Sequence, residues 1–213
     1  ERPDYVIMWG WGVMNQVAVQ EAANVRFPME NFIGNWWAGA EHDVTPAGEA
    51  ADGYKALNMN RIADYPVFDD IREHVIDKGL AAGEGSNVGK VLYTRGMYAA
   101  MLAVEAAKTA QEIHGTEEID AAMMRDGMEA LEMTEARMEE LGMPGIGPEF
   151  SVSCSNHGGS GGGIVQQWDA AAGEWKPLTD YIEPDHEVIQ PLVEADSVAF
   201  AEENNIETRC NES

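Results

Sequence analysis

The sequence predicts an α/β fold in which parallel sheet is flanked by helices, and three observations carry that expectation. Short apolar runs at Tyr5–Trp9, Asn31–Trp37 and Gly53–Asn58 alternate with helix-forming segments across residues 1–60. That βαβαβ order gives a parallel sheet with right-handed crossovers. Val91–His114 is Ala-rich, apolar at helical spacing and without internal proline, which makes it the strongest helix in the chain. Hydrophobic residues form 45% of the 213, enough for a globular chain to bury a core.

Taken in order, Tyr5–Trp9 is a buried-strand pattern ended by Gly10. Val13–Val25 reads as an amphipathic helix with Val13, Val17, Ala18 and Ala22 on one face, stopped at Phe27-Pro28. Asn31–Trp37 is the second strand, a short helix follows near Pro46–Ala51, and Gly53–Asn58 is the third strand. The middle is helical: Tyr65–Lys78, then a Gly-rich loop over 79–89, then Val91–His114, then one or two Met-rich helices within Ile119–Leu141. Those methionines fit adaptable core packing. A Pro/Gly connection at Gly142–Gly147 and a polar, Gly-rich segment at Ser151–Gly163 lead to a strand at Ile164–Trp168. A turn through Ala170–Gly173 joins it to Glu174–Pro177 as a hairpin. Val188–Glu203 is the last helix.

The charge excludes several classes of partner. With 38 acidic and 13 basic residues the formal net charge is −25, so nothing could neutralise a row of phosphates. An anionic membrane surface is disfavoured for the same reason, and no apolar run nears the roughly 20 residues of a membrane-spanning helix. The balance fits a solvated acidic surface or a face that meets a basic partner. The chain opens at Glu1-Arg2-Pro3, directly before a strand and without an initiator Met. We read it as part of a longer or processed polypeptide, with any export signal upstream.

Four of the six tryptophans lie within residues 1–37, as Trp9 with Trp11 and Trp36 with Trp37. Each pair falls at the C-terminal end of an expected parallel strand, the edge where open α/β sheets bind ligands. Such a placement points to an aromatic-lined cleft, with indole N–H groups as directional donors. Asn15 stands at the start of the first helix, where a polar side chain and free N–H groups receive a carboxylate or simply cap the helix. Tyr93 and Arg95 open the long helix. Arg95 suits bidentate pairing with a solute carboxylate, and equally an internal ion pair.

Enzyme signatures are weak. His42-Asp43 and Cys154 with His157 lack zinc-like spacing and sufficient partners. No serine sits in a nucleophile-elbow pattern, and Gly158–Gly163 has neither dinucleotide nor P-loop spacing. No catalytic residue, metal or cofactor is expected. The two cysteines, Cys154 and Cys210, would favour a bridge in an oxidising compartment and remain two inert thiols otherwise.

With these pieces placed, the chain resembles the type I periplasmic solute-binding proteins of the leucine/isoleucine/valine-binding family, over about residues 3–185. The resemblance runs through Pro3–Gly12, Phe32–Trp37, Pro46–Tyr54 with its Ala-Gly and Ala-Ala pattern, Val91–Ala107 with Tyr98-Ala99-Ala100, and Ile164–Trp168. It implies two α/β lobes joined by a hinge, with solute bound between them, and the chain as the C-terminal half. Residues 1–60 would then be part of the second lobe, 61–162 the helical return to the first, and 163–213 a hinge strand, hairpin and final segment. It also implies solute contacts near Trp11, Trp36 and Tyr93. Trp36 stands where the family's amino-acid binders carry a carboxylate for the solute's ammonium. That departure favours an aromatic or other carboxylate, or an amide, over an α-amino acid, with an amino-acid-like solute the remaining option. The implied protein is the periplasmic substrate-binding component of an ABC transporter, delivering a small organic solute to a membrane permease. A ligand-sensing domain of a receptor or regulator shares the fold and is the alternative. A metal-dependent hydrolase using His42, Cys154 and His157 is a third.

Overall fold

A computed structural model describes residues 3–207 and 210. In chain order the elements are β1 (Val6–Met8), α1 (Val13–Asn24), β2 (Phe32–Asn35), α2 (Glu41–Val44), β3 (Lys55–Asn58), α3 (Pro66–Ile71), α4 (Val91–His114), α5 (Ala121–Glu129), β4 (Glu132–Met133), α6 (Glu135–Glu140), β5 (Phe150–Ser151), β6 (Ile164–Asp169), β7 (Glu174–Pro177) and α7 (His186–Asn204). Short 3₁₀ turns span Met29–Asn31, Trp36–Ala38 and Thr45–Ala51, and a π-helical turn, Arg72–Ile76, continues α3. The chain divides into two compact units. One holds residues 1–100, 134–148 and 163–182; the other holds 101–133, 149–162 and 183–213.

The first unit is built on a five-stranded sheet in the order β1-β2-β3-β6-β7. The first three strands are parallel, with Val6 opposite Phe32 and Ile33 opposite Lys55. β6 runs antiparallel to β3, and β7 antiparallel to β6. The expected α/β architecture is present, with an antiparallel hairpin as its far edge. Residues alternate along each strand. Phe32 and Gly34 of β2, Ala56 of β3, and Ile164 and Trp168 of β6 are buried, whereas Ile33, Leu57 and Val165 between them are half-buried. The buried side packs on α1 and the Thr45–Ala51 turn through Val19, Phe27, Met29, Val44, Tyr54 and Trp175. Full burial of a side chain of that size stabilises by about 1.5–3 kcal/mol. Trp168 and Trp175 face each other across the hairpin in edge-to-face contact, 5.2 Å between ring centroids.

Two elements differ from the sequence expectation for physical reasons. The buried stripe of α1 is Asn15, Ala18, Val19 and Ala22, while Val13 and Val17 are 69% and 50% exposed. The apolar residues of this helix wrap around it, so their spacing alone does not choose a face; Asn15 turns inward because its amide has a backbone carbonyl to bond, as described below. The Met-rich segment forms two helices, α5 and α6, within the one or two expected, and the unexpected element is the strand between them, β4, which pairs with β5. Met133, Met138 and Met143 are all buried.

Within the second unit, Asp120 caps α5 by accepting from the N–H groups of Ala122 and Met123, both at 2.9 Å. Gly127 lets α5 press against α4: a Cβ there would stand 2.2 Å from the Ala106 carbonyl oxygen and 2.7 Å from the Ala110 methyl. Cys154 and Cys210 are joined in a disulfide with Cα atoms 5.5 Å apart. α7 has no buried residue, and Val188, Leu192 and Phe200 on it are exposed.

Candidate functional site

The first unit gathers its unusual residues beyond the C-terminal ends of β1, β2 and β3. β2 ends at Asn35, and the chain turns at once through Trp36–Ala38. Gly34 makes this turn fit: a Cβ there would lie 2.1 Å from the Tyr54 hydroxyl and 2.2 Å from the Ala38 carbonyl oxygen. The Tyr54 hydroxyl donates to that same carbonyl at 2.7 Å, and burial pushes the phenol's pKa well above its ordinary value, with the Asp43 charge adding to the shift. Trp36 takes a left-handed backbone, φ 45°, a conformation unusual for a bulky side chain and one that persists only where its surroundings hold it.

The surroundings that hold it are two polar side chains reaching from different helices. Asn15 of α1 is fully buried and its Nδ2 donates to the Trp37 carbonyl at 2.7 Å. Arg95 of α4 donates through Nη2 to the Trp36 carbonyl at 2.6 Å and to the Asn58 side-chain oxygen at the end of β3. Its guanidinium also lies over the Trp36 indole, 3.9 Å from the ring centroid, a cation–π contact worth about 2 kcal/mol when desolvated. Asn58 in turn donates to the Gly39 carbonyl at 3.3 Å. The main chain of both tryptophans is therefore tied down. Their rings meet edge to face at 6.2 Å, with Trp37 49% exposed and Trp36 half-buried.

Trp9 and Trp11 stand out into solvent at 80% and 68% exposure and make no ring contact among the described residues. Tyr93 is half-buried and sets its ring against Phe68 at 6.4 Å. Arg95 is 9% exposed, and its Nε and Nη1 have no hydrogen-bond partner among the described residues. Burial pulls its pKa down to about 10, against the opposing pull of Asp43 and Glu41.

Sequence reasoning missed Glu41 and Asn58, and it considered Asp43 only beside His42, as a weak metal or catalytic pair. Asp43 is fully buried; its Oδ2 accepts from the Ala40 N–H at 2.9 Å, and its Oδ1 lies 3.3 Å from the His42 imidazole. Desolvation raises its pKa, opposed by the Ala40 bond, His42, Asn15 and Arg95. Both Glu41 carboxylate oxygens accept from the Val91 N–H at 3.2 Å, where a carboxylate suits the positive end of α4. Spacing held a faint sign of Asp43, an acid three residues into a helix. Ala40 at the cap lacks the Ser or Thr that would have completed the usual signature.

Chemically, the arrangement offers flat aromatic surface with a buried cation and amides behind it. The sulfur of Cys154 is bonded to Cys210, which removes the thiolate that a Cys/His nucleophile or metal ligand needs. His157 lies 3.4 Å from the Glu129 carboxylate. Among the described residues no group of three or more His, Cys, Asp or Glu side chains is placed to hold a metal ion. No described helix is long and apolar enough to cross a membrane.

No protein-family model matches the sequence, and no curated protein does. Solved structures do. A protein from the Pseudomonas fluorescens group, described as an ABC transporter permease, is 35% identical and superposes with a TM-score of 0.88 over 99% of this chain and 51% of its own. A branched-chain amino-acid ABC transporter protein from Thermus thermophilus with bound valine is 22% identical, TM-score 0.65, over 86% of this chain and 47% of its own. A leucine-binding protein from Thermotoga maritima is 18% identical, TM-score 0.58, over 86% and 45%. The chain spans about half the length of each. It has the type I periplasmic-binding fold of the substrate-binding proteins of branched-chain amino-acid-type ABC transporters.

Proposed function

We propose that the chain is part of the substrate-binding component of an ABC transporter, working in the periplasm, and that it holds a small organic solute at the strand-end tryptophans and hands it to a membrane permease. The observation that supports this reading is the fixed Trp36-Trp37 turn, with both carbonyls held by buried side chains and both rings reached by solvent. A surface whose backbone is already fixed loses little conformational freedom on binding, which favours affinity. Trp9, Trp11 and Tyr93 extend the apolar wall. Asn15 and Arg95 serve it from beneath.

The solute we propose is an aromatic or other carboxylate. Trp36 provides stacking area and Arg95 positive charge, and the buried acid in the cluster, Asp43, has its oxygens turned to Ala40 and His42. In the lobe arrangement that goes with this reading, residues 1–60 belong to the second lobe, 61–162 return to the first, and 163–213 include a hinge strand. Closure of the lobes on solute is a hinge motion biased by contacts to both.

Tryptophan emission of the purified chain, titrated with aromatic acids, branched-chain amino acids and short amides, tests this. A saturable shift with the aromatic acids, lost in Trp36→Ala, is the expected result. A saturable response to valine or leucine alone would overturn the solute assignment and return the chain to amino-acid binding. Silence from every solute, in emission and in thermal stability alike, would remove the tryptophan turn as a binding surface.

A further inference from the structure

The Arg95 guanidinium occupies one face of the Trp36 indole, so a solute can stack only on the other. That cation is 91% buried and lies 3.9 Å from the ring centroid. No carboxylate comes within ion-pair distance of it among the described residues. Glu41 is bonded to the Val91 N–H, and Asp43 to the Ala40 N–H, with its other oxygen 3.3 Å from the His42 imidazole. Indole rings bind cations through the negative face of their quadrupole, and here that face is already taken by an internal cation.

We propose that Arg95, stacked behind Trp36, sets the charge selectivity of the site: it converts an aromatic surface that would otherwise attract ammonium groups into one that takes planar carboxylates and rejects cations. Resting on the binding role proposed above, this assigns Arg95 a positioning and charge-selecting part, exerted through the indole. Three features of the geometry support it. Nη2 holds the carbonyl of Trp36, a residue in the left-handed backbone region. The guanidinium carbon lies over the ring, and Asn58 anchors Nη2 from the strand side. The two remaining donors, Nε and Nη1, have no acceptor among the described residues, and Asp43 and Glu41 act on the charge only from beyond ion-pair distance, so no carboxylate neutralises it at the ring. Across the thickness of the ring, roughly 7–8 Å from a stacked group, one such charge at an effective dielectric of about 20–40 changes affinity about tenfold.

The first arm of the test uses benzoate, benzamide and benzylammonium as probes on the purified chain. The wild type should bind in that order. In Arg95→Met the benzoate-to-benzylammonium ratio should fall about tenfold, and in Arg95→Lys, which keeps charge but loses the planar stack, the order should survive with weaker binding throughout. A wild type that binds all three alike overturns the charge selectivity while leaving the binding surface intact; a ratio unchanged in Arg95→Met overturns it too.

The second arm needs no solute and so separates failure of this inference from failure of the binding role. Iodide and caesium quench tryptophan emission as an anion and a cation. The Trp36 share is the difference between the wild type and Trp36→Phe. Despite the net charge of −25, that share should favour iodide, and Arg95→Met should shift its iodide-to-caesium ratio about threefold toward caesium, a local field change that short-range screening does not remove. An unchanged ratio in a variant whose circular dichroism matches the wild type overturns the proposal, whatever the solute titrations show.

Discussion

The Asn15 side-chain amide donates to the Trp37 carbonyl at 2.7 Å across 22 residues of chain, and Asn15 is fully buried. One bond thus ties the first turn of α1 to the segment that presents Trp36 and Trp37. Removing the donor leaves a part-buried carbonyl without its partner, which costs up to about 1–3 kcal/mol. Asn15→Ala is expected to lower unfolding free energy by that amount in urea titration and to broaden the tryptophan emission. Asn15→Asp should do worse, because it replaces the donor by a second carboxylate beside Asp43. Equal stability of Asn15→Ala and wild type would show that water or the backbone satisfies the Trp37 carbonyl instead.

Gly34 and Tyr54 form a coupled pair. A methyl at Gly34 meets the Tyr54 hydroxyl at 2.1 Å and the Ala38 carbonyl oxygen at 2.2 Å, so Gly34→Ala must displace one or both. Overpacking of this kind costs about 1–3 kcal/mol. Tyr54→Phe frees the first contact and leaves the second. The double variant is therefore expected to recover part of the Gly34→Ala loss, with a favourable interaction energy of at least about 0.5 kcal/mol in the double-mutant cycle. Strict additivity would place the clash at the backbone alone.

Much of the fold was legible in the sequence because its signals are local. Strand-ending Gly10, the apolar runs before Trp9 and Trp36, and the Ala-rich α4 each fix an element without help from the rest of the chain. Placing the tryptophans at strand ends followed from the same local order. What the sequence concealed are relationships between distant residues. Whether Val17 or Asn15 faces inward depends on a carbonyl 22 positions away, and nothing in the helix pattern records it. The stack of Arg95 on Trp36 joins residues 59 apart, and a lone arginine at a helix start carries no sign of what it will cover. The burial of Asp43 was hidden because a buried acid looks like an exposed one until its neighbours are placed. β4 was missed because two residues of strand carry no periodicity.

Asp43 gives the chain a pH signature opposite to that of its surface acids. Its carboxyl is raised above 3.8, chiefly by burial, so its protonated form is favoured by folding. The sign follows from linkage: its contribution to stability is fully present below the unfolded pKa and is lost as pH rises through the higher folded value. Asp126, held down by Arg125, and Asp169, held down by Lys176, run the other way. Their contribution is present above the unfolded value and fades as pH falls through the folded one. Subtracting Asp43→Asn from wild type cancels the surface acids. The wild type should gain on the variant as pH is lowered from 7 toward 4 in denaturant titrations. A difference that stays flat, or that grows with pH, would mean that His42 and Arg95 offset the burial of Asp43 more than desolvation raises it.

The Cys154–Cys210 bridge closes a loop with a sequence separation of 56, and both ends lie in the unit formed by residues 101–133, 149–162 and 183–213. In the chain-entropy account a loop of this length stabilises by about 4 kcal/mol. That is a large fraction for a unit whose last helix, α7, buries none of its residues. Cys154→Ser with Cys210→Ser is expected to lower the stability of this unit by up to that amount. The sheet-containing unit, with its own apolar core from Val19 to Trp175, should change little. Hydrogen exchange resolves the two: amides of α5 and the β4–β5 pair should lose protection in the double variant while those of β2, β3 and β6 keep theirs. Uniform loss in both units would show that the chain unfolds as a single cooperative body, and no loss in either would show that the bridge closes a loop already ordered by other contacts.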